Sequence, residues 1–129
     1  EEWPADLLLC RVPVFILQPL VENAIKHGLL ARQNGGVVII RIFCLEGLLH
    51  IEVEDNGVGI QAERLASIRR FDGVSVRDPA GTGIGLHNVH KRLQATFGPQ
   101  YGLRIESQEG QGTIVKATLP VLQPEEVTA

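Results

Sequence analysis

Four short stretches of the chain carry residue types whose spacing suits chemistry. The first is Glu22-Asn23-Ala24-Ile25-Lys26-His27-Gly28. At the ~100° per residue of an α-helix, Glu22, Asn23, Lys26 and His27 fall within an arc of ~140° on one side. An amide oxygen suits a hard cation such as Mg2+, and an ammonium suits phosphate. Taken alone, the stretch reads better as a solvated face with a Glu22–Lys26 pair worth about 0.2–0.5 kcal/mol. The second is Asp55-Asn56-Gly57-Val58-Gly59-Ile60, directly after a strand-like segment. A carboxylate at a strand end can accept a hydrogen bond from an exocyclic amine, and glycines let backbone approach a flat ring. Asp-Asn-Gly is also ordinary turn chemistry, but the second glycine and Ile60 exceed what a plain turn requires.

The third stretch, Gly81-Thr82-Gly83-Ile84-Gly85-Leu86, leads into a helical pattern. Glycine-rich backbone at a helix start offers unpaired N–H groups and a positive dipole end to phosphate. The spacing after Asp78-Pro79-Ala80 is not a dinucleotide fingerprint, and no Gly-Lys-Ser/Thr follows to make a P-loop. A flexible loop ahead of a helix stays open as the alternative. The fourth, Gly110-Gln111-Gly112-Thr113, reads by itself as a hairpin turn followed by a strand-favouring threonine.

The elements that must position these stretches are legible in the apolar spacing. Residues 4–12 suit a short strand leading to Pro13. From Pro13, Phe15, Ile16, Leu17, Leu20, Val21, Ala24 and Ile25 recur at helical spacing. Gly28 or Gly35-Gly36 is expected to end that helix, and Pro19 to kink it or mark its regular start. Val37–Leu45 and Leu48–Glu54 around Glu46-Gly47 form a hairpin, with Ile51 and Val53 inward and His50, Glu52 and Glu54 outward. A short helix fits Ala62–Arg70. Leu86–Phe97 is helical, with Leu86, Val89, Leu93 and Phe97 on one stripe, ended by Gly98-Pro99. Leu103–Ser107 and Thr113–Leu119 make a second hairpin. Without a βαβ rhythm, a helical layer on a mixed, mostly antiparallel sheet is the economical architecture, an α+β class.

Composition narrows the function classes. At 129 residues the chain is one domain, and 44% hydrophobic with 21% charged residues is a globular balance. A formal net charge of -3 argues against nucleic-acid binding through bulk positive charge. No apolar run approaches the ~20 residues of a membrane span, and no signal-peptide pattern opens the chain. Cys10 and Cys44 form no CxxC pair and read as buried core thiols in a reducing compartment. Trp3 reads as a packing residue. The Glu1-Glu2 start and the absence of methionine suggest a domain excised from a longer protein.

In their order, the four stretches resemble the catalytic ATP-binding domain of sensor histidine kinases. That domain belongs to the superfamily of gyrase, heat-shock-chaperone, kinase and mismatch-repair ATPases. Gln18 to Gly28 looks like the N box of the LytS-like subfamily. Asp55 to Ile60 looks like the first glycine box. Gly81 to Leu86, continuing through Asn88-Val89 and Arg92-Leu93, looks like the second, and Gly112-Thr113 takes the last hairpin position. The likeness runs from about Pro13 to Pro120, so residues 1–129 are expected to form one such domain, a two-layer Bergerat sandwich with helices on one face. Residues 1–12 are its expected lead-in, 61–80 an ATP lid, and 123–129 a frayed tail.

The resemblance also implies roles. Asn23 would ligate Mg2+ and Lys26 would neutralise phosphate. Asp55 would take the adenine amino group with support from Thr113. Gly57 and Gly59 would admit the base, and Ile60 would line its pocket. Gly81, Thr82, Gly83, Ile84, Gly85 and Leu86 would wrap the phosphates, with His27 and Asn88 nearby. Where gyrase-type relatives place a general-base glutamate, this chain has Pro19, which favours a kinase over a hydrolase, with Gln18 or Glu22 as partial substitutes. None of His27, His50, His87 and His90 sits in a phosphoacceptor context. The implied function is to present the γ-phosphate of Mg-ATP to a histidine on upstream dimerisation helices. The implied partners are those helices and a cognate response regulator, with no nucleic acid and no direct membrane contact. The parent is expected to be a homodimer with this domain in the cytoplasm, anchored or not. A regulatory nucleotide module and an anti-sigma-factor-type serine kinase are the alternatives. Arg69, Arg70 and Arg77 read either as phosphate or partner contacts of the lid or as incidental charges on a solvated loop.

Overall fold

A computed structural model describes residues 14–29, 35–71 and 82–121. The expected lead-in, the tail, Cys10, Trp3, Arg77 and Gly81 lie outside them. The alternation read in the first hairpin becomes two strands, β1 (Val38–Leu45) and β2 (Leu48–Asp55), paired antiparallel. Their turn holds Glu46 and Gly47 at φ 54° and 80°, the left-handed pair whose twist matches a two-residue hairpin. In β2, Leu49, Ile51 and Val53 are buried with Asp55 at the strand's end, while Leu48, His50, Glu52 and Glu54 are half-buried on the other face. Cys44 was expected to be buried; on edge strand β1 it is half-buried and packs against the core from its margin.

The second hairpin, β3 (Gly102–Gln108) and β4 (Gly112–Pro120), completes a four-stranded sheet in the order β1-β2-β4-β3. Asp55 lies opposite Thr113 in the β2–β4 register, and Ser107 lies opposite Thr113 in the β3–β4 register. Among the described residues every pairing is antiparallel, within the α+β class expected, and the short strand expected over residues 4–12 lies outside them. The helical excursion after β2 leads into β3 at the far edge, which runs in the same sense as β2, and β4 lies antiparallel between the two.

Among the described residues, three helices form the second layer. In α1 (Val14–Asn23), Ile16 and Leu20 are fully buried. Pro19 neither starts this helix nor ends it. After Asn23 the winding widens into a π-helical turn, Ala24–Leu29, that passes through Gly28, the first of the two expected stops. Helix α2 (Ala62–Arg69) buries Leu65 and Ile68. Helix α3 (Thr82–Phe97) begins four residues before Leu86, so the second glycine stretch forms its first turn. These side chains meet Ile51, Val53, Leu103, Ile105, Val115, Ala117 and Leu119 of the sheet in one core. Among the described residues no helix is long and apolar enough to cross a membrane.

Among the described residues, contacts at the end of α2 tie it to β3 and α3. Arg69 donates from Nε and Nη2 to the Ile105 carbonyl at 2.9 and 2.6 Å. Phe71, at φ 50°, stacks on His90 with centroids 3.9 Å apart and planes 6° from parallel. The His90 Nδ1 accepts the Leu103 N–H at 2.9 Å. Burial holds the His90 pKa below its usual 6.5, helped by the charges of Lys91 and His87. A depressed folded pKa means stability that is present above 6.5 and lost as pH falls through the folded value. Denaturant midpoints are therefore expected to fall on acidification through this range, and to fall less in His90→Asn, which keeps an acceptor but cannot titrate. Equal pH dependence in both proteins contradicts this assignment.

Candidate functional site

The carboxylate at the end of β2 is the centre of the site. Asp55 is 6% exposed, and its Oδ1 accepts the Gly57 N–H at 2.8 Å, an Asx turn that reverses the chain. Burial raises the Asp55 pKa above its ordinary value; the Gly57 and Thr113 N–H groups oppose this, and the charge of Glu54 adds to it. Asn56, the next residue of the loop, exchanges hydrogen bonds with the Val37 backbone ahead of β1 at 2.8 and 3.3 Å.

The glycine loop is then fastened to the second hairpin. Gly110 N–H donates to the Val58 carbonyl at 2.7 Å, and Ile60 N–H donates to Ser107 Oγ at 2.9 Å. Gly59 sits at φ 74°, and a Cβ there would lie 2.1 Å from the Gln108 carbonyl oxygen. Gly112 sits at φ 121°, with the Asp55 carbonyl oxygen 2.1 Å from where its Cβ would be. Both glycines let backbone approach backbone. For Gly59 this is a reason for glycine that the sequence reading had assigned to a base. Ser107 bonds Thr113 Oγ1 at 2.8 Å and the Gly112 carbonyl at 2.9 Å. Asp55, Gly57, Gly59, Ile60 and Thr113 are thereby brought together around one end of the sheet.

Ser107 and Asn56 are the site residues that sequence reasoning missed. Each makes its contact to a partner distant in the chain, and neither residue type at its position announces this. The only local signal was Asn56 beside Asp55.

The remaining candidates come from the helical layer. The π-helical turn packs against β1, β2 and β4, the last two being the strands that carry Asp55 and Thr113. Asn23 is half-buried and Lys26 exposed. From Ala24 the π winding turns less per residue than the α-helix before it, which leaves Glu22, Asn23 and Lys26 on one side of the segment. Glu22 accepts a hydrogen bond from Gln18 Nε2 at 3.0 Å, and among the described residues it forms no ion pair with Lys26. The side chains of His27, Thr82 and Ile84 lie outside the described residues. Leu86 is 1% exposed, its side chain within the core. Arg69, read as a possible phosphate contact, is committed to β3.

Chemically, Asp55 offers a buried acceptor for an amine, and a helix start such as that of α3 is the kind of backbone that meets an anion. Asn23 offers an amide oxygen. Among the described residues no cluster of three His, Cys, Asp or Glu side chains could hold a metal. This donor set fits a cation such as Mg2+, which takes few protein ligands and fills its shell from phosphates and water.

Among the described residues, an antiparallel sheet packed with three helices, with a buried strand-end aspartate beside a glycine loop, defines an α+β domain. The family model described as histidine kinase-, DNA gyrase B-, and HSP90-like ATPase matches residues 12–123, and the chain belongs to that family. It is 40% identical over 115 residues to the sensor protein LytS of Bacillus anthracis, a match covering 89% of this chain and 19% of LytS. Against the sensor histidine kinase YesM of Bacillus subtilis it is 38% identical over 111 residues, 86% of this chain and 17% of YesM. The chain thus spans about a fifth of the length of these relatives. The mycobacterial sensor histidine kinase MprB shares the fold, with a TM-score of 0.60 and 21% identity over 84% of this chain and 70% of that structure.

Proposed function

We propose that this chain is the Mg-ATP-binding catalytic domain of a sensor histidine kinase. In this reading it presents the γ-phosphate to a histidine on upstream dimerisation helices, for onward transfer to a response regulator. The observation that carries the reading is the buried Asp55 carboxylate, hydrogen-bonded at Oδ1 and set beside Thr113. Family membership and the LytS-like relatives support it.

In this reading Asp55 accepts the adenine amino group, with Thr113 in support. Gly57, Gly59 and Ile60 border the base, and residues 81–86 meet the phosphates through backbone N–H groups. Mg2+, when bound, would neutralise phosphate charge, held by Asn23 with Lys26 as a second positive group. The chain's own contribution is positioning and charge neutralisation rather than covalent chemistry. Pro19, inside α1, supplies no carboxylate to activate water, which favours transfer to an acceptor over hydrolysis. The parent would be a homodimer that holds this domain in the cytoplasm.

Asn23→Ala is expected to reduce the gain in ADP affinity that Mg2+ confers by about tenfold, the value of a hydrogen-bond-strength contact. Affinity measured in EDTA is expected to stay nearly unchanged. An unaltered Mg2+ gain removes Asn23 from the metal. The transfer reading is tested on the longer protein with its upstream helices, incubated with γ-labelled ATP. Acid-labile phosphohistidine is expected. Acid-stable phosphoserine on a partner protein would favour the serine-kinase alternative, and binding without transfer a regulatory module.

A further inference from the structure

Ser107 lies outside the glycine boxes, yet its hydroxyl has three partners. The Ile60 N–H can only donate, at 2.9 Å, and the Gly112 carbonyl can only accept, also at 2.9 Å. Thr113 Oγ1, at 2.8 Å, can do either. A serine hydroxyl has one proton and two lone pairs. All three bonds form together in one arrangement alone: Ser107 accepts from Ile60, donates to Gly112 and accepts the Thr113 proton. The Thr113 hydroxyl is then used up as a donor and presents only lone pairs elsewhere. Thr113 is 8% exposed and sits opposite Asp55 in the sheet register. Two neighbouring acceptors therefore share this end of the sheet, with no hydroxyl proton left free between them.

We propose that Ser107 fixes the polarity of the Thr113 hydroxyl and so makes the site select a 6-amino purine over a 6-oxo purine. The inference rests on the adenine-site reading of Asp55. A 6-amino group donates to both acceptors. A 6-oxo group brings a carbonyl to the same place and meets only lone pairs, and such unpaired polar groups discriminate strongly. Without the Ser107 hydroxyl, Thr113 is free to turn and donate to that carbonyl. Ser107 acts through Thr113 and is a positioning residue.

The test is calorimetric titration of the 129-residue chain with ADP and with IDP in Mg2+. Ser107→Ala is expected to lower the ADP-over-IDP preference about tenfold, on the order of one hydrogen bond. Ser107→Thr, which keeps the hydroxyl, is expected to retain the wild-type ratio and serves if Ser107→Ala does not fold. In a Thr113→Val background, Ser107→Ala is expected to leave the ratio unmoved, because no hydroxyl remains to reorient. A merely structural serine would weaken both nucleotides equally. An unmoved ratio in Ser107→Ala, a lost ratio in Ser107→Thr, or a persisting effect in the Thr113→Val background each overturns the proposal. If the wild-type chain binds neither nucleotide, the adenine-site reading itself fails. ADP binding with an unmoved ratio defeats the Ser107 assignment alone.

Discussion

Asp55→Asn is expected to weaken ADP binding by about 2–3 kcal/mol, roughly 30- to 150-fold, while leaving the fold at least as stable as the wild type. Asparagine is nearly isosteric and keeps an oxygen to accept the Gly57 N–H that Asp55 accepts at 2.8 Å. What it loses is the charged acceptor, and its NH2 would meet the amine of the base donor to donor. The stability side follows from linkage. Burial raises the Asp55 pKa above 3.8, against the Gly57 and Thr113 N–H groups. A raised folded pKa means a stability contribution that is complete below 3.8 and lost as pH rises through the folded value. Asp55→Asn should therefore unfold at equal or higher denaturant than the wild type at neutral pH. Its advantage should shrink on acidification and disappear below 3.8. Unchanged ADP affinity would remove Asp55 from the base, and a marked loss of stability at neutral pH would make the carboxylate structural.

Gly112→Ala is the second large effect, and it acts on the frame of the site. An added Cβ would lie 2.1 Å from the Asp55 carbonyl oxygen and 3.0 Å from both the Asp55 carbonyl carbon and the Asn56 Cα. Every one of these atoms is backbone at the end of β2, so no flexible side chain can yield. With φ at 121° the substitution is strained as well. The expected cost is about 3 kcal/mol or more, and a fall in melting temperature of roughly 10 °C. Gly59→Ala should behave likewise, because its Cβ would meet the Gln108 carbonyl oxygen at 2.1 Å. Gly110→Ala is the control: at φ 83° with nothing within 4 Å, it carries only the left-handed penalty of about 1–2 kcal/mol. Equal melting temperatures for Gly112→Ala and Gly110→Ala would contradict the close approach.

Comparison of these residues with their sequence context shows what local pattern can and cannot reveal. The period-two run through Leu49, Ile51 and Val53 made β2 and its buried face legible, and with them the position of Asp55 at the strand end. The glycine spacing after Asp55 marked the loop that follows β2. The π-helical widening after Asn23 was not legible, because apolar spacing near 3.6 residues does not distinguish it from the α-helix it extends. The early start of α3 at Thr82 was masked by glycines, which local propensity assigns to loops. Ser107 was invisible for a different reason: its three hydrogen bonds join the glycine loop to β4, and one of those partners, Ile60, lies 47 residues away. Arg69 and Phe71 read as lid residues, yet tertiary contacts with Ile105 and His90 tie them to the folded core.

The central claim is that this end of the sheet binds an adenine nucleotide with Mg2+. It is tested most directly by calorimetric titration of the wild-type chain with ADP in Mg2+. A saturable heat with affinity in the micromolar-to-millimolar range, weakened when Mg2+ is chelated, is the predicted result. The absence of any heat from a folded chain would contradict it.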